Sequence, residues 1–153
     1  AVIAPQAAAM RDQLIAMDKA AYDRAQDQQL NIMAKSPDAL AKVKEWSVAS
    51  DKSVAARALY DVMTTDARPR LSAITKPVTI VYAYDPQMGR TGAAVTAMYI
   101  DAYSGIEKSE MKRIDGGYHF IMLDQPAAFA EAVSAFLAKP ANGGALKLHG
   151  RGG

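Results

Sequence analysis

The fold class follows from the stretch Pro77–Asp85, which reads PVTIVYAYD and is apolar or β-prone almost throughout. It does not alternate between apolar and polar residues, which is typical of a strand buried on both faces of a parallel sheet. A helical pattern follows over residues 95–103, then a short strand around Met111–Ile114, then an amphipathic segment over Gln125–Leu137. Strand, helix, strand, helix is the repeating unit of an α/β fold.

The residues before this unit are predicted to form helices, because helix start signals alternate with apolar residues at helical spacing. Ser36-Pro37-Asp38 is a strong helix N-terminus, and Asp18 and Asp51 can cap two further helices. The buried side of the last of these helices is predicted to carry Val54, Leu59, Val62 and Met63. Methionines in this half suit a cover over an apolar pocket, although they more often fill gaps in an ordinary core.

The chain therefore divides into a helical cap segment over residues 1–70, a βαβα segment over residues 71–138 and a Gly-rich, flexible tail over residues 139–153. Two strands do not make a stable parallel sheet by themselves. We therefore expect the βαβα segment to be the edge of a larger sheet whose other strands lie outside this chain. The opening Ala1–Pro5 also reads like the middle of a protein rather than its start.

Composition narrows the function classes. The chain has 153 residues, 50% of them hydrophobic, which is enough for one domain with a buried core. Its 18 basic residues are scattered and almost balanced by 16 acidic ones, so we expect no nucleic-acid partner. The absence of cysteine excludes thiolate catalysis and disulfides within the chain. No apolar run approaches the roughly 20 residues of a membrane span, so we expect none.

Two residues in this setting are candidates for acid–base chemistry. His119 lies in the run Gly116-Gly117-Tyr118-His119-Phe120, between the second predicted strand and the last helix. Glycines free the backbone there, and such a turn presents a general base well. Asp85 directly follows the first predicted strand, Val78–Tyr84, and lies 34 residues before His119. Together they have the character of the acid and the histidine of a Ser-His-Asp triad.

From these residues outward, the chain resembles the C-terminal half of an α/β-hydrolase over residues 1 to about 138. The resemblance rests on Leu71–Pro77 leading into Tyr82-Ala83-Tyr84-Asp85, and on the block Ile114–Pro126, in which a glycine-rich turn, His-Phe and Asp-x-Pro follow one another. It implies a serine hydrolase that acts on a small apolar ester, with Asp85 as triad acid, His119 as base and no cofactor. Asp115, the nearest competitor for the acid, is predicted to serve the turn.

The nucleophile is missing, because no serine of the chain lies in the Gly-x-Ser-x-Gly elbow of that family. We expect it on an N-terminal half of the same protein, as an upstream segment or a separate chain, and we expect the isolated chain to be inactive. Two alternatives stay open. One is a relative with an aspartate nucleophile, of the dehalogenase or epoxide hydrolase type. The other is a non-catalytic fragment that binds a partner through its sheet edge.

The remaining candidates are weaker. Trp46, Met88 and Phe120 are candidates for the lining of the substrate pocket, although core packing is the more common role for any one of them. Asp124 is predicted to cap the last helix. His149 lies in the Gly-rich tail and is predicted to be incidental, and with only two histidines in the chain we expect no metal site.

Overall fold

The structure is a computed structural model that describes residues 3–139, and over this range the chain is mixed α/β and mostly helical. The predicted flexible tail, apart from Lys139, lies outside the described residues, as does His149. The regular elements are α1 (Ile3–Ala16), α2 (Lys19–Leu30), α3 (Pro37–Ala49), α4 (Lys52–Thr64), β1 (Val78–Tyr84), α5 (Gly92–Ala102), β2 (Ser109–Asp115), α6 (Ile121–Asp124) and α7 (Pro126–Leu137), with short 3₁₀ segments at Arg68–Ala73 and Pro86–Met88.

The predicted helix starts are confirmed by their caps. The Asp18 carboxylate accepts a hydrogen bond from Ala21 N at 2.8 Å, and the Ser36 hydroxyl accepts one from Ala39 N at 3.1 Å. Asp51 likewise accepts hydrogen bonds from two backbone amides in the first turn of α4. Each cap satisfies amides that the first turn of a helix leaves unpaired, which is why short polar residues begin these helices.

The strands β1 and β2 are parallel, in a register that runs from Val78 opposite Ser109 to Tyr84 opposite Asp115. The first strand has the predicted bounds, whereas the second extends beyond the predicted Met111–Ile114 at both ends. Since the two strands run the same way, the residues that follow Tyr84 and Asp115 leave the sheet at one common edge, its carboxyl edge.

Helices cover the two faces of this sheet. On one face the Tyr82 ring stacks on Tyr99 of α5 at a centroid distance of 4.4 Å, and its hydroxyl donates to Thr96. On the other face Ala83 and Ile114 pack with α6 and α7, in a cluster that also contains Val81, Ile121, Ala128, Phe129 and Ala132. Successive side chains of a strand point to opposite faces, so the prediction that β1 is covered on both faces is confirmed.

The helical half packs as pairs, with α1 along α4 and α2 against α3. The predicted buried face of α4 is partly wrong: Val54 and Val62 are 62% and 76% exposed, whereas Ala56 is 1% exposed. α4 packs mainly against α1, and the buried side of α4 carries the small Ala56 in place of the valines. Over residues 3–139, no helix combines the length and the apolar character that crossing a membrane requires.

Candidate functional site

The carboxyl edge of the sheet brings the two predicted acid–base residues onto neighbouring loops. Asp85 follows β1 directly, and the turn Gly116–Phe120, here the histidine turn, follows β2. The amide of Gly116 donates to the Tyr84 carbonyl at 2.8 Å and extends the strand pairing by one bond. The Tyr118 hydroxyl donates to the Gln87 side chain at 3.0 Å and ties the two loops together.

Asp85 is almost wholly buried, with 2% exposure. Its Oδ2 accepts a hydrogen bond from Lys35 Nζ at 2.5 Å, and its Oδ1 accepts one from Gln87 N at 2.9 Å. The Lys35 ammonium, followed by the Gln87 amide, lowers the pKa of the Asp85 carboxyl, because both favour the charged form. The same hydrogen bond raises the pKa of the Lys35 ammonium. Asp85 is therefore a buried carboxylate with a cationic partner.

The histidine turn has the backbone geometry that its glycines predict. Gly116 has a φ of 84°, in the left-handed region that favours glycine. Its carbonyl accepts a hydrogen bond from the Gln125 side chain at 3.0 Å. The amide of Phe120 donates to the Met33 carbonyl at 3.1 Å, so the turn is also bonded to the connection between α2 and α3.

His119 is exposed, and its ring meets Phe120 edge-on at a centroid distance of 5.2 Å. Within residues 3–139 the hydrogen bonds of the Asp85 carboxylate go to Lys35 and Gln87, and none reaches His119. The structure thus brings the loops of the predicted acid and base together without joining the two side chains. Lys35 holds the position on Asp85 that a triad would give to the histidine.

His119 lines a half-open cavity of about 680 Å³. Most of its walls are apolar, and the side chains come from α1, α2, α4 and the residues after them, together with the histidine turn. They are Met10, Gln13, Leu14, Met17, Tyr22, Ala25, Gln26, Gln29, Leu30, Met33, Ala55, Ala56, Leu59, Met63, His119 and Phe120. A cavity of this size and character suits a small apolar ligand.

The three predicted pocket residues have different positions. Phe120 lines the cavity beside His119. Trp46 is 43% exposed and contacts Phe120 from outside the lining, at a ring centroid distance of 6.0 Å. Met88 is 45% exposed, in the 3₁₀ segment after Asp85, and is also not part of the lining.

Sequence reasoning missed the roles of two residues at this edge. The prediction that Asp124 caps α7 is wrong, because within residues 3–139 no side chain makes a capping hydrogen bond to that helix. Asp124 Oδ1 instead accepts hydrogen bonds from Lys35 N and Ser36 N at 2.9 Å each, and its Oδ2 accepts from Tyr118 N at 2.9 Å and shares the Lys35 amide at 3.0 Å. Asp124 therefore fastens the histidine turn to the α2–α3 connection, and that connection carries Lys35, the second missed residue.

Comparisons with known proteins add no family: the chain matches no family model, no curated protein and no solved structure. Over the described range, no three or more potential ligands among His, Asp and Glu lie close enough together to hold a metal ion. The functional argument therefore rests on the geometry of the carboxyl edge and of the cavity.

Proposed function

We propose that the chain supplies the triad acid and histidine of a serine hydrolase with the α/β-hydrolase fold, acting on a small apolar ester. The observation that carries the proposal is the carboxyl edge of the parallel pair. Asp85 and the histidine turn leave the sheet side by side there, and His119 lines an apolar cavity of about 680 Å³. In α/β proteins, ligands bind at the carboxyl ends of the strands.

The chemistry assigns His119 two proton transfers. As a serine Oγ attacks the ester carbonyl, the imidazole takes the serine proton and then gives it to the departing alcohol. The same imidazole next activates water, which releases the acid from the acyl-serine. Asp85 would hold the second ring nitrogen and stabilise the imidazolium. The serine and the oxyanion-binding amides would come from a segment or chain that completes the sheet, so the chain alone should not turn over ester.

The cavity supports an apolar substrate. A volume of about 680 Å³ lies within the range of about 300–1,000 Å³ that is typical of small-molecule sites. The methionines among its lining residues, Met10, Met17, Met33 and Met63, are flexible and polarizable, so they can adapt to different acyl or alcohol groups.

The test begins with affinity purification of the chain together with whatever it binds in its producing cells. Native mass spectrometry counts the polypeptides, a fluorophosphonate probe labels an activated serine, and p-nitrophenyl esters report turnover. We expect labelling of the partner polypeptide, a loss of about 10⁶-fold in kcat for His119→Ala and a loss of about 10⁴-fold for Asp85→Asn. The matched control for the histidine is His149→Ala, which should keep full activity.

Each of the other outcomes contradicts the proposal in a different way. Turnover of an epoxide or haloalkane without fluorophosphonate labelling would indicate an aspartate nucleophile on the same fold. Full ester turnover by His119→Ala would remove this histidine from the chemistry. A single inactive species at the mass of the chain would show that no partner supplies the nucleophile, and it would contradict the binding role as well.

A specific observation favours that binding role as a second candidate. The bonds Val78 N to Lys108 O and Gly116 N to Tyr84 O show that the even-numbered residues of β1 pair with β2. The amides and carbonyls of Thr79, Val81 and Ala83 therefore point to the other edge of β1, because bonding directions alternate along a strand. Over residues 3–139 no further strand pairs with that edge. It can accept a strand from a partner.

Proline substitutions in β1 test whether a partner strand pairs with this outer side of β1. Val81→Pro removes an outward-pointing amide, and we expect it to dissociate the complex seen by native mass spectrometry while the chain stays folded. Tyr82→Pro removes an amide that faces β2, and we expect it to disrupt the sheet itself. A complex that survives Val81→Pro without loss of affinity would place the partner elsewhere.

A further inference from the structure

We propose that Lys35 is a positioning residue for the acid: it holds the Asp85 carboxylate on the cap side of the carboxyl edge, and Asp85 reaches His119 only when the Lys35 side chain moves away. This inference rests on the proposed function. It goes beyond it by assigning a role to a residue of the helical half that would never touch substrate.

The two carboxylate oxygens of Asp85 have different partners, so the exchange of Lys35 for His119 would involve Oδ2 alone. Oδ1 accepts from Gln87 N at 2.9 Å and fixes the turn after β1. Oδ2 accepts from Lys35 Nζ at 2.5 Å. A histidine that replaced Lys35 at Oδ2 would leave the turn intact, because the bond to Oδ1 does not depend on it.

The backbone of Lys35 is held by hydrogen bonds, whereas its side chain is partly exposed and can move into solvent. Its amide is bound by the Asp124 carboxylate, which also binds Tyr118 N of the histidine turn. The Lys35 side chain is 39% exposed, compared with 3% for Asp85. Water can therefore solvate a displaced ammonium on its flexible stem, but it cannot solvate the carboxylate left behind.

The charged and titratable groups around the Lys35–Asp85 ion pair explain why Lys35 stays bound to Asp85 until another donor to Oδ2 is available. A buried carboxylate without a partner is costly, so Asp85 needs a donor at Oδ2. Besides Asp85, the groups that act electrostatically on Lys35 are Tyr118 and Asp124. Asp124 is a second carboxylate towards which a displaced ammonium can turn. Lys35 thus satisfies Asp85 while the rest of the site is not assembled.

The chain as it exists allows a direct test, since it contains only two histidines. With His149→Gln as background, His119 gives the only imidazole signals in ¹⁵N NMR, which distinguish the Nδ1–H from the Nε2–H tautomer. Spectra are recorded near pH 8.5, where an ordinary imidazole is neutral. The variants are Lys35→Met, Asp85→Asn, the double variant and Lys35→Arg, and their amide spectra verify that each is folded.

We expect Lys35→Met, which removes the donor to Oδ2, to shift the tautomer ratio about tenfold towards Nδ1–H, because the freed carboxylate accepts a hydrogen bond from that nitrogen. The shift should vanish in the double variant, and Lys35→Arg, which keeps the ion pair, should match the parent.

Two results would overturn the inference, and they are distinguishable. If the parent already shows the Nδ1–H form and loses it on Asp85→Asn, then Asp85 binds His119 despite Lys35, and the proposed function stands without the exchange. If the ratio is the same in every variant, then Asp85 and His119 do not interact, and the proposed function loses its acid–base pair as well.

Discussion

The carboxyl edge of the sheet and the helical half of the chain are held together in different ways. At the edge, a few directional bonds join distant residues: Lys35 to Asp85 across 50 positions, and Lys35 to Asp124 across 89. In the helical half, α1 and α4 pack through small side chains and leave a cavity of about 680 Å³ between helices. The first arrangement fixes positions and the second leaves space, and in the proposed hydrolase this would separate the reacting groups from the ligand pocket.

The largest loss of stability should follow a substitution in the hydrophobic core beneath the carboxyl edge of the sheet. Ile114 is 4% exposed and packs with Ala83, Ile121 and Ala132. We expect Ile114→Ala to lower the free energy of unfolding by about 3 kcal/mol, because it removes buried methyl groups and leaves a cavity. Urea denaturation followed by circular dichroism measures this, and a loss below about 1 kcal/mol would show that the sheet region is loosely packed.

A smaller loss should follow when the link between the regions is cut. Asp124→Asn keeps Oδ1 but replaces the oxygen that accepts from Tyr118 N. We expect the free energy of unfolding to fall by about 2 kcal/mol, because the charge-assisted hydrogen bond from Tyr118 N disappears and that amide loses its acceptor. Hydrogen exchange of the Tyr118 amide should become faster. Asp115→Asn is the control, because within residues 3–139 the hydrogen bonds and ion pairs of that exposed carboxylate involve Arg113 alone. Equal losses for both variants would refute a linking role for Asp124.

The ion pair gives the edge a pH dependence with a definite sign. Folding lowers the pKa of the Asp85 carboxyl from its usual 3.8. The ionised carboxylate therefore stabilises the fold fully above pH 3.8, and this stabilisation is lost as the pH falls through the lowered pKa. The stability difference between the parent and Asp85→Asn should therefore be larger at pH 7 than at pH 2.5. Denaturation at both pH values measures it, and other carboxylates cancel in the difference. A difference that does not change with pH would contradict the pairing.

The smallest effect is expected on the exposed side of α4. Val62 is 76% exposed, so Val62→Ala removes almost no buried surface. Alanine also favours helix over valine by about 0.5 kcal/mol, so stability should stay level or rise slightly. Thermal unfolding compares this variant with Ala56→Val, which enlarges a side chain that is 1% exposed and should destabilise. A clear loss for Val62→Ala would mean that this face is covered in solution.

What the sequence could predict is what depends on near neighbours. Ser36 and Asp18 accept hydrogen bonds from amides three residues away, and the composition of β1 is itself typical of a buried strand. These two caps and this strand were therefore predicted correctly. The roles of Lys35 and Asp124 depend on partners 50 and 89 positions away, and no local pattern encodes such distances. The buried side of α4 was misjudged for a related reason. Hydrophobicity predicted that its valines would be buried, whereas the structure buries Ala56, and the side chains that face a partner helix depend on the packing of the whole chain.

The cavity lining carries a chemical vulnerability of its own. Met10, Met17, Met33 and Met63 contribute four thioethers to one apolar surface, and Met10 is 44% exposed. Oxidation to the sulfoxide turns such a side chain from apolar to polar without cutting the chain. Peroxide could therefore change which molecules the cavity accepts while the strands, the ion pair and the histidine turn keep their places, and reduction of the sulfoxides would restore the original preference.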